Sequence, residues 1–352
     1  MIKNILVLGS IAGQTKQRVR AFQELGYQVD TVSDTALNHA PGINYQPTLL
    51  DRARNKLGFP ADKFQINKQL LNKISKEHFD LLWVEKCLCL KPSTLKALKK
   101  LQPNLVLIWY SGDDMFARHN QSAYFRKSLP RYDLVVTTKS YNCNTNELPT
   151  LGAKRVCFVD KGFDKIMHAP VVVSEDDKEK LGAKVGFIGT YEAARARSVL
   201  YLAKHGIPVR IWGNGWKEFA RTHPHPKLHV ENKPIYDDNY QKAICATEIN
   251  LCFLRKLNRD LQTDRTMEIP ACGAFMLAER TEEHQRLFVE DKEAVFFDSN
   301  NDAELLAKVQ YYLARGNERL VIARAGYKRC YRDDYTHEHR LRDVLKKLEA
   351  YD

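Results

Sequence analysis

The sequence predicts an α/β protein of two doubly wound parallel-sheet domains, and three observations carry that expectation. The chain has 352 residues, too many for one ordinary core and enough for two domains of roughly 150 to 200 residues each. An apolar run ending in glycine, then a helix-period segment, then a second apolar run, opens the chain at residue 3 and recurs at residue 184. In both halves short β-prone runs then alternate with helical patterns, which implies parallel strands with helices on both faces.

The first opening is residues 3–9, closing at Gly9, followed by a helix pattern through Val19, Phe22 and Leu25 that stops at Gly26, and a strand from Tyr27 to Val32. Further strands are expected at 81–84, 105–109, 134–137 and 155–159. The second opening is Val185 to Thr190, a helix with Val199, Leu200, Leu202 and Ala203, a stop at Gly206, and a strand from Val209 to Gly213. Strands at 249–253, 275–277 and 294–297 follow. These patterns divide the chain into an N-terminal domain at 1–168, a linker at 169–183, a C-terminal domain at 184–335, and a helix at 336–352 that packs back on the N-terminal domain. The two domains are expected to face each other across a cleft at the carboxyl ends of their strands, where such sheets bind ligands.

Composition narrows the class. Apolar residues make up 44% and charged residues 28%, as in ordinary globular proteins. No apolar run approaches the ~20 residues that span a bilayer, and the N-terminal run is too short for a signal peptide, so a cytoplasmic protein is expected. The eight cysteines include Cys87-x-Cys89 but no Cys-x-x-Cys, and read as reduced core thiols. The net charge of +12 favours anionic partners, with a basic concentration from Arg319 to Lys347 that suits either a solvated face or the inner surface of an anionic membrane. Nothing resembles a nucleic-acid recognition motif. Neither half has Gly-x-Gly-x-x-Gly with an acid about 20 residues on, which argues against a nicotinamide enzyme.

The most informative stretch is residues 258–277, a polar loop, a helix ending at Gly273, and a strand. Glu268 on that helix can accept two hydrogen bonds from the vicinal hydroxyls of a ribose, and Arg265, one turn earlier, can meet phosphate oxygens. An ordinary i,i+3 ion pair fits the same two residues. In the N-terminal half, Asp113 and Asp114 follow a buried strand where the cleft is expected; either can serve as a general base or simply cap a helix. Lys86 and the loop from Gly9 to Lys16 also follow strand ends. The histidines at 119, 223, 225, 337 and 339 make no metal-ligand pattern.

Glu268-Ile-Pro-Ala-Cys-Gly273 followed by an apolar strand resembles the Glu-x-x-x-Cys-Gly segment of group 1 GT-B glycosyltransferases, and more narrowly the spore-maturation CgeB-type branch. The similarity takes in Arg265, the loop from Glu279 to His284, Phe187 to Thr190 with Arg197, Trp212 to Trp216, and the Gly162-Phe163-Asp164 to Pro170 segment. It covers most of residues 150–340. What it implies is a GT-B fold of two Rossmann-like domains and a sugar transfer from a nucleotide-sugar donor to a glycan, lipid-linked or protein hydroxyl. The donor is a co-substrate, and no cofactor or metal is required. Residue by residue, it implies that Glu268 holds the ribose, and that Gly189 and Thr190 lie under the diphosphate at a helix N-terminus. Arg197, Arg265 and His284 supply positive charge, and Gly213, Asn214 and Gly273 shape the donor pocket, with Trp212 or Trp216 nearby. Retaining members carry Glu-x7-Glu; here Asp260 stands in the first place, so the spacing is kept with a shorter acid and the stereochemical course is left open. A non-catalytic nucleotide-sugar-binding protein of the same fold is the alternative.

Overall fold

The apolar runs that open each half are buried strands of two separate sheets. A computed structural model describes residues 2–35 and 48–350, and the chain divides into one unit of Met1–Asp160 with His337–Asp352 and a second of Lys161–Thr336.

Unit 1 runs β1 (Asn4–Gly9), α1 (Gly13–Glu24), β2 (Gln28–Ser33), α2 (Leu49–Lys56), α3 (Ile66–Ile74), β3 (Leu81–Glu85), α4 (Pro92–Leu101), β4 (Val106–Ser111), α5 (Ala123–Ser128), β5 (Leu134–Thr137) and β6 (Val156–Phe158). Its strands lie in the order β2-β1-β3-β4-β5-β6, and each neighbouring pair is parallel. The period of two along each strand sends alternate residues to opposite cores. Leu6, Leu8, Leu82 and Val84 join a layer that includes Leu70 and Leu95 of α3 and α4, while Ile5, Val7, Leu81 and Trp83 join one with Val19 and Phe22 of α1.

Unit 2 runs α6 (Glu175–Leu181), β7 (Ala183–Ile188), α7 (Ala193–Lys204), β8 (Val209–Trp212), α8 (Lys217–Thr222), β9 (Leu228–Val230), α9 (Asp237–Ala246), β10 (Thr247–Cys252), α10 (Asp264–Ala271), β11 (Met276–Glu279), α11 (Glu282–Leu287), β12 (Val295–Phe297), α12 (Asp302–Leu313) and α13 (Gly316–Arg332). The sheet order is β12-β11-β10-β7-β8-β9, again parallel throughout. The connections reverse direction at β7, so a crevice opens between the carboxyl ends of β7 and β10, where doubly wound sheets bind ligands.

The last helix, α14 (His337–Glu349), is part of unit 1. Leu341, Val344, Leu345 and Leu348 recur at helical spacing and are buried in the α1 layer.

Several boundaries differ from the sequence reading. The division falls after Asp160 rather than 168. Residues 169–183 are not a tether but part of unit 2, because Ser174 caps a first turn of Glu175, Asp176 and Asp177 and makes that segment a helix. Lys242 of α9 then pairs with Asp177 at 3.1 Å. The three-residue edge strand β9 and helices α2 and α3 were not expected. All eight cysteines are free thiols, five of them buried. Among the described residues no helix is long and apolar enough to cross a membrane.

Candidate functional site

The crevice of unit 2 collects its polar side chains from the ends of β7, β8 and β10 and from α10. β7 ends at Gly189-Thr190, and the Gly189 N–H donates to the Trp212 carbonyl at 2.8 Å while the Trp216 indole donates to the Gly189 carbonyl at 2.9 Å. The two strand ends therefore touch. A Cβ at Gly213 would lie 2.0 Å from the Gly189 oxygen, which is why no side chain fits there. Asn214 closes the turn, its carbonyl accepting from the Tyr191 N–H at 2.9 Å. Trp212 and Trp216 are both buried core residues and are not free to stack on a ligand.

Thr190 leads into α7, whose first turn has no side-chain cap, so N–H groups there lack helical partners. Arg195 is buried; its Nη1 donates to the Thr190 carbonyl at 2.9 Å, and its Nε has no hydrogen-bond partner. Burial, then the like charge of Arg265, pull its pKa down, against the opposing pull of Glu192, Asp260 and Glu279. Arg265 on α10 donates to Thr263 Oγ1 at 3.2 Å, and its Nε is also buried without a partner. Burial lowers its pKa, and Tyr240, Cys252, Glu268 and Asp264 together more than offset that, holding it charged. Two desolvated guanidiniums within reach of each other's field, each with an idle N–H, make a ready receptor for a dianion.

Arg197 is not part of this cluster. Two residues along a helix are about 200° apart, so Arg195 and Arg197 cannot face the same way. Arg197 is exposed, pairs with Asp302 at 3.0 Å and donates to the Ser299 carbonyl at 3.4 Å.

Glu268 is buried three residues beyond Arg265 on α10. That helix starts at a capping box between Thr263 and Thr266 and ends where Gly273 takes φ +69°, a left-handed turn that favours glycine. Tyr240 of α9 donates its hydroxyl to Glu268 Oε2. Burial and the neighbouring carboxylate push that phenol well above its usual range, so it remains a donor. The Asp164 N–H donates to His168 Nδ1 at 3.1 Å, which leaves the ring proton on Nε2, 3.6 Å from Glu268 Oε1. Sequence reasoning missed Tyr240 and His168 in this role.

His284 is not a source of charge. It is fully buried, with Nε2 2.8 Å from Thr266 Oγ1 and Nδ1 2.6 Å from the Glu279 carbonyl. Burial pushes its pKa down to about 4, so the ring is neutral and pins α10 to the start of α11. Asp260 lies on the loop between β10 and α10, accepting from Asn258 Nδ2 at 2.9 Å and close enough to Arg195 to act on its charge.

The two remaining acids are in unit 1, beyond β4. Asp113 accepts from Lys86 Nζ, which also donates to Asn120 Oδ1 at 3.0 Å. Asp114 is completely buried and accepts from the N–H of Phe116 at 3.1 Å and from Asn142 Nδ2 at 3.0 Å. It ties the loop to its neighbour and, being sealed from solvent, does not meet an acceptor. Of the expected loop from Gly9 to Lys16 only residues 10–12 lie between β1 and α1; within α1, Arg18 forms a buried bidentate pair with Glu85 at 2.6 and 2.7 Å.

Comparison with known proteins finds a family match over part of the chain and a fold likeness over nearly all of it. Residues 194–346 match a family model described as glycosyl transferase-like. Among solved structures the chain is similar over 99% of its length to an α-glucosyltransferase in complex with UDP and a 13-mer DNA (TM-score 0.72, 11% identity, 100% of that chain covered). It is also similar to a sucrose-phosphate synthase from Thermosynechococcus elongatus (TM-score 0.66, 12% identity, 99% of this chain and 100% of that one). A third, HepE from Anabaena in complex with UDP and glucose, has TM-score 0.63 and 10% identity, with 99% and 100% covered. No curated protein matches the sequence. The fold is that of the GT-B glycosyltransferases, and the glycosyl transferase-like match lies over residues 194–346.

Proposed function

We propose that the protein transfers a sugar from a nucleoside-diphosphate donor to an acceptor hydroxyl, with the donor held in the β7–β10 crevice of unit 2. The observation that carries this reading is a pair of arginines, Arg195 buried and Arg265 half-buried, each with a buried, unpartnered Nε, beside a carboxylate already oriented by Tyr240. The UDP bound in several similar structures favours a uridine donor.

In the reaction the bond from the anomeric carbon to the diphosphate oxygen breaks and a bond to the acceptor oxygen forms. The leaving diphosphate gains negative charge, which the two guanidiniums neutralise in a low-dielectric crevice without a metal. On this reading Glu268 accepts from the ribose hydroxyls, and Asp260, in the field of Arg195, takes the place next to the leaving group. To Asp113 of unit 1 we assign the acceptor proton. The resemblance to the CgeB-type branch, a glycan, lipid-linked or protein acceptor, and a cytoplasmic location, at the inner membrane face or free of it, belong to the same proposal.

The test is calorimetry of UDP and UDP-sugars with EDTA and then with magnesium. Binding that is equal in both conditions and lost in Glu268→Ala is the expected result. UDP affinity unchanged in that variant, or absent without magnesium, sinks the assignment of the site or of its charge. Binding without transfer to any hydroxyl acceptor would leave a nucleotide-sugar-binding protein of this fold.

A further inference from the structure

Unit 1 carries a basic hollow at the end of its sheet away from Asp113. Two adjoining cavities of about 440 and 410 Å³ share Lys99, Arg131, Asp133 and Lys154. Lys96 and Lys100 complete one and Arg155 the other. These residues come from the last turns of α4 and from the turns that lead into β5 and β6, so the hollow lies at the amino ends of β4, β5 and β6. Asp113 follows the carboxyl end of β4, about 20 Å of strand away.

The charge is not a by-product of secondary structure. Cations in the last turn of α4 complement its dipole, which accounts for Lys99 and Lys100. It does not account for Arg131, Lys154 and Arg155 on two other elements, converging on the same space. Six cations line the hollow against one carboxylate. Asp133 is itself committed, accepting from the Leu107 N–H at 2.8 Å and lying 3.1 Å from Lys99 Nζ. Among the described residues, the side chains of Lys96, Lys100, Arg131 and Lys154 make no hydrogen bond or ion pair. Like charges gathered on one concave face repel one another, and a polyanion bound there would relieve that repulsion. The floor includes the buried side chains of Leu95 and Leu107, which gives a concave site of small-ligand size rather than the long track that a nucleic acid strand needs.

We infer that this hollow is a second anion site, taking a phosphomonoester or pyrophosphate group, borne by a lipid headgroup or by a soluble phosphorylated compound. It is separate from the donor site, whose residues all belong to unit 2.

The test uses the full chain, wild type and a variant with Lys96→Ala, Lys100→Ala, Arg131→Ala and Lys154→Ala, titrated with inorganic pyrophosphate at low ionic strength. Pyrophosphate in the donor crevice contributes equally to both proteins, so the difference between the isotherms belongs to the hollow. A component that weakens at least roughly tenfold in the variant, with the melting temperature kept, is expected. Lys154→Glu, a single exposed change, replaces the variant if four substitutions prevent folding. Identical isotherms overturn the proposal, as does a variant that loses only duplex DNA binding. UDP titration of the same proteins reports on unit 2 alone, so a failure there is distinguishable. With the pyrophosphate difference established, sedimentation with phosphatidylcholine vesicles, with and without phosphatidic acid, assigns the source. Binding to the acidic vesicles that the variant loses identifies a lipid headgroup; no difference between the proteins identifies a soluble ligand.

Discussion

Two arginines two positions apart on α7 have opposite fates. Arg195 enters the crevice and Arg197 the solvent. The residues that decide it are Val199 and Leu202, which with Arg195 stand at i, i+4 and i+7 on the stripe that faces the core. A cation on an apolar stripe is the signal in the sequence, whereas the family resemblance points to Arg197. In the proposed donor site, removing Arg195 deletes a charge-assisted contact to the diphosphate worth about 2 kcal/mol, so Arg195→Ala is expected to weaken UDP binding roughly thirtyfold. Arg197→Ala, which breaks an exposed ion pair, is expected to stay within about twofold. Calorimetry of the two variants side by side checks both, and equal losses would remove Arg195 from the site.

His284 makes a pH prediction at the same scale. Its pKa falls from 6.5 to about 4 on burial, so between those values the unfolded chain binds a proton that the folded chain refuses. Stability contributed by the neutral ring is complete above pH 6.5 and is lost as pH falls towards 4, by on the order of 3 kcal/mol. Urea unfolding of wild type and His284→Gln across that range measures it. The variant is less stable at pH 7 and flatter with pH; parallel curves would mean that another group carries the acid sensitivity.

Elements set what the sequence could show. Helix α10 (Asp264–Ala271) was legible because its cap, its Arg-Glu spacing and the glycine that follows it are all local. Tyr240 and His168 reach Glu268 from other elements, 28 and 100 positions away along the chain, and no periodicity reports such a meeting. β9 escaped notice because three residues on a sheet edge carry too little pattern. The strand ends at Gly189 and Gly213 illustrate the reverse case, where a glycine in the sequence marks a close approach. Gly213→Ala drives a Cβ into backbone, which cannot move aside as a side chain can. A cost on the order of 3 kcal/mol, near 10 °C in melting temperature, is expected. Gly206→Ala, at φ +85° with open space around it, is expected to cost only about 1 kcal/mol. Thermal melts that rank the two alike would show that the contact is not what excludes a side chain.

At the scale of the whole molecule, two parallel six-stranded sheets were foreseeable from the paired βαβ openings, since each opening dictates its own layer order. The exact division was not, because the acidic stretch after residue 173 looks like a tether in composition and is a capped helix in fact. The allotment of α14 to unit 1 follows from four apolar side chains that fill the α1 layer. At about 1.5 to 3 kcal/mol for each buried side chain, their removal is comparable with the stability of an entire domain. Deleting residues 337–352 is therefore expected to abolish hydrogen-exchange protection in β1 and α1. Protection in those segments matching that of the full chain would show that α14 is dispensable to its unit.

That allotment also gives the protein a history. Translation delivers all of β1 to β6 early, but the helix that closes one face of their sheet leaves the ribosome only after the whole of unit 2. During that interval Val19, Phe22 and their neighbours await a partner, while unit 2, contiguous in the chain, completes itself without delay. The half made first is thus the half finished last, and a nascent chain stalled before residue 337 presents an apolar surface of the kind that chaperones hold.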